Sequence, residues 1–167
     1  MQFDPTHDYA LTDLTIDDNL TRWKFAELIK TVITLASDAA RQFEIIGAGA
    51  ACDEMAEDFN THFTLSYCFF LDNHLLTTAQ VAALQDLDAF INEQCDGQHP
   101  DFWDDRLLGS NPDWTIVRQK AIAILQLLGT DDLEIEFERK EKYKSTANGK
   151  RLLMQSTKTK LIRKNAH

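Results

Sequence analysis

Hydrophobic side chains recur every three to four residues in four long segments of the chain, all of them between residues 17 and 129. That spacing places the hydrophobic side chains on one face of an α-helix. The first two segments predict helices over residues 17–46 and 50–71, with a break near Gly47, because glycine permits backbone conformations that end a helix. Residues 1–16 have no such period, and we expect them to form an extended lead-in.

Two further segments have recognisable start signals for a helix. Thr77 or Thr78 can accept hydrogen bonds from the exposed N–H groups at the start of the third predicted helix. Asn111 can do the same for the fourth, and Pro112 suits its first turn because no N–H is needed there. Four amphipathic helices with short connections predict a mainly α fold, a compact bundle of four to five helices over residues 17–130.

The period changes to strict alternation near the C-terminus, where Leu133 and Ile135 alternate with glutamates. Alternation of this kind indicates a β-strand. The dipeptide Asn148-Gly149 follows, and both residues tolerate the positive φ angles of a tight hairpin turn. The sequence therefore predicts a C-terminal β-hairpin arm over residues 131–167.

The strand prediction leaves alternatives open. Pairing centred on the predicted turn sets Arg139 opposite Lys158, which is unfavourable and leaves room for a bulge or a slip in register. A helix competes with the strand over residues 133–144, because Glu136 and Lys140 are a favourable pair at a spacing of four residues. We prefer the hairpin.

The sign of the charge changes at the same boundary. Residues 1–130 hold 7 Lys or Arg and 21 Asp or Glu, a formal net charge of −14, whereas residues 131–167 hold 10 and 6, a net charge of +4. A two-stranded hairpin is not stable alone, so we expect the arm to lie on the bundle or to pair with another chain. The arm has a single aromatic residue, Tyr143, and the acidic remainder repels phosphate, so we predict no nucleic-acid partner.

Composition narrows the class of protein further. A hydrophobic fraction of 44% is ample for a core. The three cysteines, at positions 52, 68 and 95, form no Cys-x-x-Cys pair, so we expect buried free thiols instead of disulfides or a zinc site. The N-terminus lacks the basic and apolar segments of a signal peptide, and no apolar run approaches the length of about 20 residues that a membrane helix needs. We therefore predict a cytoplasmic protein with no membrane partner.

One group of ionisable residues has a spacing that suits a metal ion. Glu54, Asp58 and His62 are four residues apart, which places them on one face of a helix. Two carboxylates and an imidazole can hold manganese, iron or zinc. A solvated acidic face beside a half-buried histidine is the simpler interpretation, and we predict no metal ligands and no cofactor.

A second acidic pattern bears on catalysis. The pairs Glu54-x-x-Glu57 and Glu93-x-x-Asp96 resemble the ExxE…ExxD signature of all-α nucleotide pyrophosphohydrolases, which bind Mg²⁺ through those carboxylates. That resemblance implies a magnesium-dependent hydrolase and is retained as an alternative. The chain has no phosphate-binding loop, no dinucleotide fingerprint and no nucleophile motif, so we predict a protein that is not an enzyme and has no catalytic residues.

The acidic segment AACDEMAEDF and the loop PDFWDDRLLGSNPDW belong to a small, acidic, mainly helical chain. In these features residues 17–129 resemble the immunity proteins of bacterial polymorphic toxins, including those of contact-dependent growth inhibition systems. The resemblance implies a protein that binds a cognate toxin, often a basic nuclease, and covers its active site. An acidic surface suits that task because it mimics phosphate and accelerates encounter with a cationic partner.

The resemblance predicts an acidic surface for the partner, and an exposed tryptophan beside carboxylates suits a binding hot spot. The candidate partner-binding residues are Glu54, Glu57, Asp58, Asp101, Trp103, Asp104 and Asp105. Alternatively, Phe102 and Trp103 fold back and close the end of the bundle. A third hypothesis is a structural or regulatory homodimer joined through the arm. Its candidate self-association residues are Ile135, Phe137, Tyr143, Met154 and Leu161.

Overall fold

The computed structural model describes residues 1–165 and confirms a mainly α fold that ends in a two-stranded antiparallel β-hairpin. Residues 166 and 167, the end of the predicted arm, lie outside the described residues. The elements are α1 (Asp17–Ala36), α2 (Ala39–Ile46), α3 (Ala51–Phe59), α4 (Tyr67–Asp72), α5 (Thr78–Glu93), α6 (Pro112–Leu128), β1 (Leu133–Thr146) and β2 (Gly149–Arg163). Short 3-10 turns occur at Tyr9–Leu11, Pro100–Trp103 and Asp105–Leu107, and a π-helical turn occurs at Asn60–Thr64. No helix in residues 1–165 combines the length and the apolar character needed to cross a membrane.

The first predicted helix is in fact two helices, because the chain turns at Ser37 and Asp38, which both have extended backbone conformations. The Asp38 carboxylate accepts a hydrogen bond of 2.8 Å from the N–H of Arg41 and so caps the start of α2. Inside the corner, the buried amide of Gln42 donates to the carbonyl of Thr34 over 3.1 Å. The corner is therefore held by side-chain bonds that hydrophobic spacing does not reveal.

The second predicted helix is also interrupted. At Asn60 the end of α3 passes into the π-helical turn, where the N–H of Leu65 donates to the carbonyl of Asn60 over 3.2 Å. The short helix α4 follows Ser66 as a separate element. The hydrophobic stripe continues across both interruptions, with Phe63 and Phe70 buried, and this is why the sequence predicts one continuous helix.

The start signals of the last two long helices are confirmed. The hydroxyl of Thr77 accepts a hydrogen bond from the N–H of Gln80, and the Gln80 side chain accepts one from the N–H of Thr77. The side chain of Asn111 accepts a bond of 2.8 Å from the N–H of Asp113, and Pro112 stands in the first turn of α6. Capping is predictable because donor and acceptor are only two or three residues apart.

The core lies around α1, which packs against α3 and α6. Trp114 of α6 is fully buried and stacks on Phe102, with ring centroids 4.4 Å apart. The Trp114 indole N–H donates to the carbonyl of Phe102 over 2.6 Å, so the segment between α5 and α6 is held against the core. The N-terminal residues also cover the bundle, since the ring of Phe3 packs edge-on against Phe25 at a centroid distance of 4.9 Å.

Only one of the three free cysteines is buried. Cys52 lies in the core, whereas Cys68 and Cys95 are exposed, so the expectation of three buried thiols was wrong. Burial and the neighbouring Asp105 carboxylate raise the pKa of Cys52 to about 12. Its thiol therefore stays protonated at neutral pH and is a poor nucleophile.

The strands of the hairpin pair one residue away from the predicted register. Ile135 faces Leu161, whereas the register predicted from the sequence places Ile162 opposite Ile135. The turn consists of Ala147 and Asn148, followed by Gly149 at a φ angle of 114°. Asn148 does not have a positive φ, so the predicted conformation of the dipeptide was wrong, and the register follows from the position of the turn.

The observed register also removes an unfavourable charge pair. Lys158 faces Glu138 instead of Arg139, so opposite charges stand across the strands. The register shifts between Lys142 and Tyr143, where β2 contributes one extra residue. This irregularity is the bulge for which the sequence left room.

Only half of the hairpin lies on the bundle. Three of its hydrophobic side chains are at most 3% exposed and join the core: Leu133, Ile135 and Leu161. We call residues 133–139 and 155–163 the docked half, and residues 140–154 the distal arm. The side chains of the distal arm are exposed, apart from the half-buried Leu152.

Candidate functional site

An acidic groove of about 770 Å³ lies between α3 and α5. Three carboxylates stand along it, those of Asp53 and Glu57 on α3 and that of Asp88 on α5. The buried side chains of Phe59 and Ile91 form an apolar floor. The groove thus offers negative charge and hydrophobic surface together, a combination suited to a lysine or arginine side chain with its apolar stem.

The negative charge of the acidic groove is not compensated by nearby cations. Within residues 1–165, Asp53, Glu57 and Asp88 form no salt bridge. The Asp88 carboxylate accepts hydrogen bonds from the Thr64 hydroxyl at 3.2 Å and from the Asn92 amide at 3.3 Å, and both donors are neutral. The Asp88 carboxylate is therefore held in place without losing its attraction for a cation, and those of Asp53 and Glu57 are exposed.

Trp103 also lines the acidic groove. Its indole N–H donates to the carbonyl of Gln94 over 2.8 Å, and its ring packs edge-on against Phe102 at a centroid distance of 4.9 Å. Phe102 is buried, whereas Trp103 is half-buried. Of the two aromatic residues in this loop, Phe102 closes the bundle, and Trp103 also presents a rigid edge to the groove.

The aspartates of the same loop have different surroundings. Asp105 accepts hydrogen bonds from the N–H groups of Ala51 at 2.9 Å and Cys52 at 3.0 Å, and so caps the start of α3. Burial opposes ionisation of Asp105, but these bonds outweigh it and lower its pKa below the usual value. Asp104 is paired with Arg106 over 2.7 Å, and Asp101 is exposed. Asp105 is thus committed to the fold, although it remains half-buried at the surface.

A second cavity, of about 360 Å³, lies between the bundle and the docked half of the hairpin, and we call it the hairpin cleft. Its ionisable lining residues are Glu27, Lys30, Glu54, Asp58 and His62. The Lys30 ammonium lies 2.7 Å from a Glu27 carboxylate oxygen and donates to the carbonyl of Thr159 over 3.1 Å. Lys30 therefore links the bundle wall of the cleft to the hairpin wall.

Burial changes two ionisation equilibria in the hairpin cleft. Burial, together with the carboxylates of Glu54 and Glu27, raises the pKa of Asp58 to about 6. Burial also lowers the pKa of His62, an effect that the nearby Glu27 carboxylate opposes. At neutral pH the cleft therefore holds a charged Asp58 beside a neutral His62.

Glu54, Asp58 and His62 line one cavity, as their spacing suggests. Within residues 1–165, however, no group of three or more His, Cys, Asp or Glu side chains has an arrangement that could hold a metal ion. His62 lies in the π-helical turn that begins at Asn60, so it does not continue the α-helical phase of the two carboxylates. The three residues share a cleft without converging on one point.

The ExxE…ExxD pattern is not assembled either. Glu54 lines the hairpin cleft, whereas Glu57 lines the acidic groove. Helix α5 ends at Glu93, and Asp96 lies beyond that end, where its carboxylate accepts a bond of 2.8 Å from the N–H of Gln98. The four carboxylates are therefore not gathered at one site.

The docked half of the hairpin closes the end of α2. Arg139 donates to the carbonyls of Glu44 at 2.8 Å and Ile45 at 2.7 Å. The Gln155 amide donates to the carbonyl of Ile46 over 3.1 Å. The last carbonyls of a helix have no partner within the helix, so these bonds satisfy groups that would otherwise need water. A cation at this end is also favoured by the helix dipole.

Close approach at this point requires Gly47. Its φ angle is 72°, and a Cβ atom there would lie 2.4 Å from Oε1 of Gln155 and 2.7 Å from Cζ of Arg139. The same Gln155 oxygen accepts a hydrogen bond of 2.9 Å from the N–H of Ala48. Gly47, predicted only as a break between helices, therefore also leaves the space in which Arg139 and Gln155 of the hairpin contact the bundle.

The predicted self-association residues fall into two groups. Ile135 and Leu161 are buried against the bundle, and Phe137 is half-buried, with the guanidinium groups of Arg41 and Arg139 at 5.4 and 4.8 Å from its ring centroid. Tyr143 and Met154 lie in the distal arm and are about half exposed, at 51% and 48%. Contacts within the chain thus engage the first group and leave the second accessible.

No protein-family model, no curated protein and no solved structure matches this chain. The architecture is that of an acidic helical bundle with a partly docked β-hairpin. Of the predicted partner-binding residues, the fold brings Glu57 and Trp103 together in the acidic groove. It adds Asp53 and Asp88, which sequence reasoning missed. Spacing from Glu57 could have identified Asp53, but Asp88 lies on another helix and gives no local signal.

Proposed function

We propose that this chain is a non-enzymatic binding protein of the bacterial cytoplasm: an immunity protein that neutralises a cognate, cationic, nuclease-type toxin by covering its active site. The observation that carries the proposal is the acidic groove, with the unpaired carboxylates of Asp53, Glu57 and Asp88 around an apolar floor. A nuclease active site is built to hold phosphates, and a groove with several carboxylates offers it equivalent negative charge.

The proposed contact has two parts with different physical roles. Long-range attraction between the acidic bundle and a cationic toxin raises the rate of encounter, and it weakens with salt. Burial of Trp103 and the apolar floor slows dissociation, because aromatic side chains at the centre of an interface contribute most of the binding free energy. Trp103 is fixed by its hydrogen bond to Gln94, so little conformational entropy is lost on binding.

The test applies where the gene beside that of this chain encodes a large secreted toxin, and it uses the nuclease domain of that toxin as the partner. We expect a 1:1 complex that abolishes the nuclease activity of that domain, with a dissociation constant that rises at least tenfold between about 0.05 and 0.5 M salt. The double variant Glu57→Lys/Asp88→Lys should bind at least a hundredfold more weakly. Its matched control is Asp72→Lys/Glu93→Lys, which makes the same change in net charge at exposed positions outside the groove.

Three outcomes would overturn the proposal. If the groove variant and its control inhibit the toxin equally well, the acidic groove is not the binding site. If the purified chain releases pyrophosphate from nucleoside triphosphates with Mg²⁺, and Glu54→Gln abolishes that release, the chain is an enzyme of the alternative class. Failure of the neighbouring toxin domain to bind at low salt would exclude the cognate pair.

A further inference from the structure

The distal arm projects from the bundle without support. Beyond Arg139, the last residue of β1 that bonds to α2, the strand continues for seven residues to Thr146. At about 3.3 Å per residue this places the turn some 20 Å past the contact with α2. A two-stranded ribbon exposed on both faces buries too little surface to be favourable alone. The arm therefore leaves both faces of its strand pair available for contact with another surface.

The distal arm has a composition that suits an interface. Five cations lie on it without a salt bridge in the described part of the chain: Lys140, Lys142, Lys144, Lys150 and Arg151. Among them stand three exposed hydrophobic side chains, Tyr143, Leu153 and Met154, at 51%, 59% and 48% exposure. Hydrophobic groups clustered at a surface and rimmed by charge mark interaction sites more often than solvated ends.

The chemistry that complements the distal arm is present on the same chain. The acidic groove has an apolar floor and unpaired carboxylates, whereas the arm has apolar side chains and unpaired cations. Within residues 1–165, no hydrogen bond or salt bridge joins the arm to the groove of its own chain. Both surfaces are therefore free, and each could be satisfied by another molecule.

We infer that the distal arm docks into the acidic groove of a second copy of this chain. Two such contacts, related by a twofold axis, would close the assembly as a dimer, because each copy offers one arm and one groove. The inference rests on the same groove as the proposed function. It adds that the groove is occupied by a cationic segment of this protein until a toxin competes for it.

The assembly is tested by the mass of the native protein in solution. Sedimentation equilibrium between about 1 µM and 1 mM should show a shift from monomer to twice the monomer mass, and about 0.5 M salt should weaken association at least tenfold. A mass that stays monomeric over the whole range at low salt overturns the inference. A mass that grows without limit contradicts closure by a twofold axis.

Charge exchange identifies the two surfaces. We expect Lys142→Glu/Lys144→Glu, in the arm, and Glu57→Lys/Asp88→Lys, in the groove, each to weaken association at least tenfold. Mixing the two variants should restore a heterodimer with one contact of reversed charge and one contact between the native arm and the native groove, which a general loss of folding would not produce. Lys158→Gln, at an exposed lysine of the docked half, removes a positive charge without placing a second carboxylate opposite Glu138, and as the control it should associate like the native chain. Failure of the mixture to associate overturns the inference.

Further outcomes separate this inference from the proposed function. If the chain is monomeric yet binds the toxin domain through the groove, the function stands and the dimer does not. If the charge exchange succeeds and no toxin domain binds, the dimer is supported and the proposed immunity function is not. If the native chain remains monomeric and binds a DNA duplex of about 20 base pairs, and Lys142→Glu/Lys144→Glu abolishes that binding, the arm serves nucleic acid and the inference is wrong.

Discussion

The docked half and the distal arm belong to one continuous strand pair, yet their surroundings differ completely. In the docked half, Ile135 and Leu161 face each other across the strands and are both 3% exposed. In the distal arm, Tyr143 and Met154 have similar hydrophobic character and are about half exposed. Hydrogen bonding between strands is the same in both, so it does not decide burial. The difference arises where the bundle ends.

Charge separates the two halves as clearly as burial does. In the docked half, Glu136 and Glu138 of β1 face Lys160 and Lys158 of β2, so each charge has an opposite neighbour. In the distal arm, Lys144 faces Arg151, and no acidic residue lies opposite either of them. Glu136 and Glu138 in the docked half therefore have cross-strand partners of opposite charge, whereas Lys144 and Arg151 of the arm have none.

The largest effect should come from a cavity in the docked half. Ile135→Ala removes buried methyl groups, and we expect the free energy of unfolding to fall by about 3 kcal/mol, measured by urea denaturation. Met154→Ala, a truncation in the distal arm, is the matched comparison and should change stability by less than about 0.5 kcal/mol. Equal losses at the two positions would show that the arm is also packed against the bundle.

A smaller loss of stability should follow from adding a methyl group at Gly47, where the hairpin contacts the bundle. Gly47→Ala must displace Gln155 and Arg139 and adopt a positive φ angle, and we expect a loss of about 2 kcal/mol. Hydrogen exchange of amides in the docked half should accelerate accordingly. Gly97→Ala is the control, because its φ angle is also positive, at 79°, but nothing lies within 4 Å of the added atom. It should cost only about 1 kcal/mol and leave the exchange of the hairpin unchanged.

The smallest effect concerns the hairpin cleft. The pKa of Asp58 is about 6 in the folded chain, above about 3.9 in an unfolded chain, so its contribution to stability is fully present below pH 4 and is lost as pH rises through 6. Solvent screening reduces that contribution to about 1 kcal/mol. Asp58→Asn should therefore be more stable than the native chain at pH 7.5 by about that amount, with no such gain at pH 4.

Thermal denaturation at the two pH values measures this difference. Asp72→Asn, which removes an exposed carboxylate outside the hairpin cleft, serves as the control and should not reproduce the gain in stability at pH 7.5. A loss of stability in Asp58→Asn at pH 7.5 would mean that the charged carboxylate supports the docked half. In that case repulsion among the carboxylates of the cleft is not the dominant effect.

The elements that were predictable from sequence are those held by neighbours in the chain. Thr77 and Asn111 cap helices through bonds to residues two or three positions away, and strict alternation identified the first strand. The corner at Ser37 was not predictable, because it depends on a hydrogen bond from the side-chain amide of Gln42, in the next helix, to the carbonyl of Thr34. The register depended on which residue takes the positive φ angle, and the Asn148-Gly149 pair does not reveal that.

The candidate site was predictable only in part, for the same reason. The acidic helix and Trp103 were identified, because charge and aromatic residues are visible in the sequence. Asp105 was proposed as a partner contact, but it caps α3 at Ala51, a residue 54 positions away. In the sequence, Arg139 looks like one more exposed cation of the basic arm. In the fold, its guanidinium caps the C-terminal end of α2. These roles depend on distant backbone groups whose positions only the fold supplies.

The turn at Ala147 and Asn148 has a practical consequence as an attachment point. It lies beyond the register shift, among exposed residues, and neither of its residues belongs to the hydrophobic core. A fluorophore or a short peptide epitope inserted there would report on the approach of other molecules without altering the melting temperature of the bundle. The same independence lets the ribbon lengthen or shorten by paired residues during evolution, so the reach of the protein can change while its core sequence stays fixed.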